Sequence, residues 1–245
     1  MVNSFEEILQ EDRDKLTNQT RGIIASVLSP ACRGWLRSQV SHVDDLQVDI
    51  QGGSRQILGG TIPRVAVAAV GAIYQGLSLG SIDLIAENIR INLPQVLKGQ
   101  ALRLVESIAV MADVKFSETD LQASLSSSLL SQAITDLFTQ ILAMQPHQTD
   151  WKIDWNRLEI APQTLILQGN LTTDGQTGPI EIAMGIDIAE GHILHLDPLK
   201  ITCPIDLPNS HITSHRIDLG DDVNITQLKL TTGELLCQGR IQVNP

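Results

Sequence analysis

The chain has 245 residues, 42% of them hydrophobic and only 3% aromatic, with a formal net charge of −11. That length buries a substantial core, which Ile, Leu, Val and Ala must pack almost alone. The acidic balance lacks the clustered Lys and Arg that a phosphate backbone requires, so no nucleic-acid partner is expected.

Residues 1–41 read as an N-terminal helical segment. Ser4 caps a first helix whose opening turn carries Glu6 and Glu7. Ile23, Ile24, Val27 and Leu28 recur at helical spacing. Ser29-Pro30 then starts a new or kinked helix bearing Trp35, Leu36 and Val40, with Arg33 and Arg37 one turn apart.

Residues 42–245 read as a single strand-rich domain with an inserted helical region at about 117–144. From Leu46 the period becomes two: Leu46, Val48 and Ile50 alternate with polar residues. Gly52-Gly53 and Gly59-Gly60 mark turns or bulges. Residues 65–70 are apolar on both faces of a strand. Ile82 and Leu84, then Ile89, Ile91 and Leu93, continue the strand pattern, and Pro94 to Gly99 forms a short helical turn. Ile108, Val110, Ala112, Val114 and Phe116 alternate cleanly into Ser117-Glu118-Thr119-Asp120, a capping box that starts a helix.

The strongest helix lies at about 127–144. Leu130, Ile134, Leu137, Phe138 and Ile141 share its wide apolar face. Residues 151–245 are almost all strand and turn. Within them Leu158, Ile160, Leu165, Leu167, Gly169 and Leu171 are echoed, at a constant offset, by Leu228, Leu230, Leu235, Cys237, Gly239 and Ile241. The echo fits either a duplicated hairpin or the shared grammar of antiparallel hairpins. The fold expected is α+β, a long curved antiparallel sheet wrapped on one or two helices.

No catalytic motif accompanies these elements. There is no phosphate-binding glycine loop, no H-E-x-x-H and no G-x-S-x-G. Cys32, Cys203 and Cys237 are far apart and form no C-x-x-C, which suits a reducing compartment without disulfides or zinc. His192, His195, His211 and His215 crowd into one stretch, but strand alternation splits the first two between faces. No carboxylate cluster completes a ligand set, so no metal, cofactor or catalytic residue is expected. No apolar signal core opens the chain and no apolar run spans a bilayer. The location expected is cytoplasmic, with peripheral attachment to a membrane as the further option.

Wide aliphatic faces with few aromatics serve two architectures equally. They close a dry core, as in a scaffold that binds a partner protein, or they leave a groove for acyl chains. Candidate groove residues are Val27, Leu28, Val65, Val67, Ile82, Leu84, Leu130, Ile134, Leu137, Phe138 and Ile141. Arg21, Arg33, Trp35 and Arg37 lie in a stretch without acidic residues, from Lys15 to Val43. That stretch suits either an anionic membrane surface or a cover for the sheet.

Residues 29–125 also carry an ordered motif. Gly59, Gly60, Ile62 and Pro63 precede an apolar strand. Tyr74, Gly76 and Leu77 form a turn, followed by Ile82 and Leu84, then Ile89-Arg90-Ile91-Asn92, and finally Asp120, Leu121, Ser124 and Leu125. In these residues the chain resembles the LmeA-like phospholipid-binding family, in the form common in cyanobacteria. The resemblance implies a non-enzymatic protein that binds phospholipid, with a fold like tubular lipid-binding domains. Actinobacterial relatives are secreted or membrane-attached and act in envelope glycolipid assembly. This sequence differs from them in its N-terminus, which suggests a phospholipid binder or carrier working from the cytoplasmic side.

Overall fold

The computed structural model describes residues 29–141, 151–173, 175–205 and 211–245. The predicted first helix, with Arg21, Val27 and Leu28, lies outside the described residues. Antiparallel strands dominate and divide between two open sheets, where one long sheet was expected. The first sheet contains β1 (Asp45–Gln51), β2 (Thr61–Tyr74), β3 (Leu77–Arg90), β4 (Ile108–Ser117), β10 (Val223–Thr231) and β11 (Glu234–Val243), ordered β1-β2-β3-β4-β11-β10. The second is a meander of β5 (Trp151–Ala161), β6 (Thr164–Thr173), β7 (Gln176–Ala189), β8 (Ile193–Thr202) and β9 (His215–Asp218).

The helices are short: α1 (Ser29–Gln39), α2 (Ser54–Leu58), α3 (Leu93–Val96), α4 (Glu118–Ser124) and α5 (Ser128–Ile141). Sequence analysis reads residues 52–60 as turns alone, whereas the structure places the single helical turn of α2 between the glycine pairs. Ile57 supplies the reason, since it is fully buried and a helical turn aims it inward.

Two apolar clusters follow the two sheets. In one, Ile134, Phe138 and Ile141 of α5 pack with Leu158, Ile160, Leu167, Leu171, Ile180 and Ile182 of the second sheet. Phe138 stands edge-on to Trp155 and tilted to Trp151, with ring centroids 6.2 and 5.7 Å away. In the other, Cys32 of α1 packs with Ile57, Ile62, Ala86, Ile89, Ile91, Leu93 and Val110 beside the first sheet.

The sequence echo is structural. The hairpins β5–β6 and β10–β11 each carry a bulge at matching places, Trp155/Arg157 and Ile225/Gln227. Gly169 and Gly239 lie opposite these bulges, where a Cβ would come within 2.7 Å of the Asp154 carbonyl and 2.6 Å of the Asn224 carbonyl. The hairpin tips bond each other reciprocally. Gln163 N donates to the Leu230 carbonyl at 3.3 Å, and Gly233 N to the Ile160 carbonyl at 2.8 Å. Each sheet therefore contributes one equivalent hairpin to the junction.

α4 seals that junction. Ser117 and Asp120 form the expected capping box. The edge strand β5 then lends its backbone to α4 side chains: Leu158 N donates to Gln122 Oε1 at 2.7 Å, and Ile160 N to Glu118 Oε2 at 2.8 Å. Unpaired edge groups are thereby satisfied without another strand.

Candidate functional site

The first sheet is incompletely filled on its inner face. Beneath α1 lies a cavity of about 190 Å³ whose lining side chains are all apolar. Cys32, Trp35 and Leu36 come from α1; Ile62, Val65 and Val67 from β2; Leu84, Ala86 and Ile89 from β3. Ile91, Leu102 and Leu104 close one end, and Ile108, Val110, Ile241 and Val243 of β4 and β11 form the far wall. Trp35 and Ile241 are 36% and 39% exposed, so the chamber meets solvent between them.

Register explains this lining. Val67 pairs with Leu84, Val65 with Ala86, Ala86 with Val110, and Val110 with Ile241. Paired residues on adjacent strands share a face, so the alternating Val and Ile positions merge into one wall. α1 covers part of it, through Ala31 and Cys32 packed near Val48 and Ile50 of β1. Burial pushes the Cys32 thiol up from 9.0 to about 11.

The family-type motif builds the closed end. Gly60 has φ +82°, a conformation that favours glycine, and its carbonyl accepts from Ile91 N at 2.9 Å, while a Cβ there would lie 3.1 Å from the Ile91 carbonyl in tight contact. Asn92 clips the next loop from both ends of its amide. Nδ2 donates to the Ala101 carbonyl at 3.0 Å and Oδ1 accepts from Arg103 N at 2.7 Å. This sets Leu102 and Leu104 against the chamber. Gln75 and Gly76, both at positive φ, make the tight two-residue turn between β2 and β3. Ser124 is fully buried, accepts from Ser78 N at 2.8 Å and donates to the Asp120 carbonyl at 2.6 Å, tying that hairpin to α4.

The structure brings three predicted groove residues, Val65, Val67 and Leu84, to the cavity. Ile82 stands on the same face two residues beyond, paired with Ala69 and Val114. Ile134, Phe138 and Ile141, with Leu130 and Leu137 packed against them, lie instead in the cluster of the second sheet. Trp35 is at the cavity rim, while Arg33 and Arg37 are exposed on α1. Sequence reasoning missed the walls from β4 and β11, Leu36 and the Leu102–Leu104 loop. The alternation of Ile108 with Val110 and of Ile241 with Val243 was visible, but their pairing across so long a separation in sequence was not.

Beyond the cavity the apolar face continues through Ala112, Val114 and Phe116 of β4, all half-buried. From Ile108 to Phe116 it runs about 27 Å at the rise of a strand, longer than the ~15 Å depth of one leaflet of a bilayer's hydrocarbon core. Among the described residues no group of His, Cys, Asp or Glu is placed to hold a metal ion. No described helix is long and apolar enough to cross a membrane.

The site is thus an apolar, solvent-connected chamber on one of two open antiparallel sheets. The family model described as LmeA-like phospholipid-binding matches residues 20–240, and the chain belongs to that family. Searches of the curated proteins and of the solved structures each returned no match.

Proposed function

We propose that the protein binds phospholipid without catalysing a reaction, and that the chamber under α1 receives an acyl chain. The wholly apolar lining in a chain of a phospholipid-binding family carries this reading. At about 190 Å³ the closed part takes only a stretch of methylenes; an apolar cavity of about 150 Å³ stays dry and takes benzene. The rest of the chain follows the half-buried face past Ile82 and Val114, toward the cluster that α5 seals with Ile134, Phe138 and Ile141. Wrapping of this sheet around lipid, in the manner of tubular lipid-binding domains, belongs to the same reading.

Loading and release then occur at a membrane surface, with α1 facing it through Arg33, Trp35 and Arg37. An exposed Trp beside arginines suits the interfacial region of an anionic bilayer. Transfer of lipid between membranes extends this step.

Organic extraction and native mass spectrometry of the purified chain test the reading. Co-purified phospholipid, or uptake of it from vesicles, is the expected result. A chain that emerges lipid-free and takes up none would instead favour a dry-core scaffold.

A further inference from the structure

The far side of the cavity's closed end is polar. Leu104 lines the apolar chamber and also a second, open hollow of about 630 Å³, which Gln95, Gln100, Arg103 and Val105 line with Asn92. One leucine thus separates an aliphatic compartment from a polar one, the layout an amphiphile needs.

The groups of the hollow differ in availability. Asn92 spends both ends of its amide on the loop backbone. Arg90, nearby in sequence, is paired with Glu106 at 2.7 Å. The ion pairs and side-chain hydrogen bonds among the described residues leave out Gln95, Gln100 and Arg103, all three exposed. From Asn88 to Val105 the chain has Arg90, Lys98 and Arg103 and no acidic residue, although its net charge is −11. Leu97 and Val105, on the same loop, are 50% and 54% exposed. A loop presenting bare aliphatic side chains next to cations is complementary to an anionic lipid surface.

We propose that this hollow is the headgroup subsite for an anionic phospholipid with a hydroxylated headgroup, such as a glycerol or a sugar. The proposal rests on the acyl-chain reading above. Arg103 binds the phosphodiester, for which a planar guanidinium is suited. Gln95 and Gln100 offer both donors and acceptors to headgroup hydroxyls. Among the described residues the hollow has no aromatic side chain to receive a quaternary ammonium, so choline finds no matching partner.

The test uses the purified full chain and probes with identical dioleoyl chains: phosphatidylglycerol, phosphatidylcholine and diacylglycerol, with glycerol 3-phosphate as the chainless control. Phosphatidylglycerol should bind at least about tenfold more tightly than diacylglycerol, the value of one charge-assisted contact to the phosphodiester, and more tightly than phosphatidylcholine, whose headgroup offers no hydroxyl to Gln95 and Gln100. Glycerol 3-phosphate alone should bind far more weakly than phosphatidylglycerol. Arg103→Ala should lower both phospholipids toward the level of diacylglycerol and leave diacylglycerol binding and the thermal midpoint unchanged, whereas Gln95→Ala combined with Gln100→Ala should erase the preference for phosphatidylglycerol over phosphatidylcholine. Arg103→Lys should recover only part of the phospholipid affinity.

Equal binding of the two phospholipids, or phospholipid affinity that survives Arg103→Ala, overturns the headgroup subsite while diacylglycerol binding keeps the acyl reading intact. Glycerol 3-phosphate binding as tightly as phosphatidylglycerol overturns it too, marking a site for a free anion. Binding of none of the lipids overturns both readings.

Discussion

The two sheets share an equivalent hairpin yet differ in what covers their inner faces. The second sheet is covered by α5, whose Phe138 meets Trp151 and Trp155, and its facing Leu and Ile residues are almost fully buried. The first is covered by α1 and a clipped loop, with the aromatic ring of α1, Trp35, out at the rim. Large aromatic rings fill volume that branched aliphatic chains leave open. One face is therefore a packed core and the other a chamber, although both strand sets alternate alike. Aliphatic alternation by itself marks a face that avoids water, and the covering element decides whether that face is full.

The sharpest break of this comparison is a pair of truncations. Phe138→Ala removes a fully buried ring and should cost about 3–5 kcal/mol. Leu84→Ala, at a half-buried wall of the chamber, should cost less than about 2 kcal/mol, since less apolar area is lost to water. Urea unfolding measures both. Equal losses would mean that the chamber is as tightly packed as the core.

The reverse pair comes next in size. Ile182→Trp overfills the second sheet, where Ile182 is 2% exposed, and should cost about 1–3 kcal/mol. Ala86→Phe points into the chamber and should cost less than about 1 kcal/mol, because open space receives the ring. The same variant should displace bound lipid, read by native mass spectrometry. Lipid retained at the wild-type level by a folded Ala86→Phe protein would move the acyl chain elsewhere.

At the junction between the sheets, Ser124→Ala should cost about 1–3 kcal/mol, because it leaves the half-buried Ser78 N–H without its acceptor. A change no larger than about 0.5 kcal/mol, the ordinary scatter of surface substitutions, would show that water replaces the hydroxyl there.

The elements that make this contrast were largely legible in the sequence, but the contrast itself was not. The capping box at Ser117–Asp120 and the helix through Phe138 followed from local spacing, and both formed where their residues placed them. The hairpin echo was visible as a constant offset between two sets of apolar residues, and its matching bulges and reciprocal tip bonds arise in three dimensions. Which apolar face meets which was not legible. Periodicity identifies the wide face of α5 but contains no information on the sheet it covers. The chamber's far wall depends on β4 pairing with β11, a contact that no local pattern encodes. The role of Asn92 was equally hidden, because a loop clip needs only one amide at the right place.

Cys32 offers the gentlest probe, since it reports on the chamber without changing its shape. The thiol lines the cavity and burial lifts it to about 11, so near pH 8 only about one molecule in a thousand carries the reactive thiolate. Alkylation at Cys32, followed by peptide mass spectrometry, should therefore rise about tenfold per pH unit between 8 and 10. The stability consequence has a definite sign. The folded thiol holds its proton more tightly than the unfolded one, whose value is 9.0. Its contribution is complete below pH 9 and is lost as pH rises toward 11, so Cys32→Ala should flatten part of the alkaline loss of stability. Cys237, raised by burial and then by Asp113, titrates in the same direction, so the comparison belongs in a Cys237→Ala background. A bound acyl chain should slow the labelling of Cys32 at every pH, because it occupies the space the reagent needs. Labelling with a midpoint near the ordinary thiol value and no response to lipid would mean that water reaches Cys32 freely beneath α1, which removes the covered apolar compartment on which the contrast with the second sheet depends.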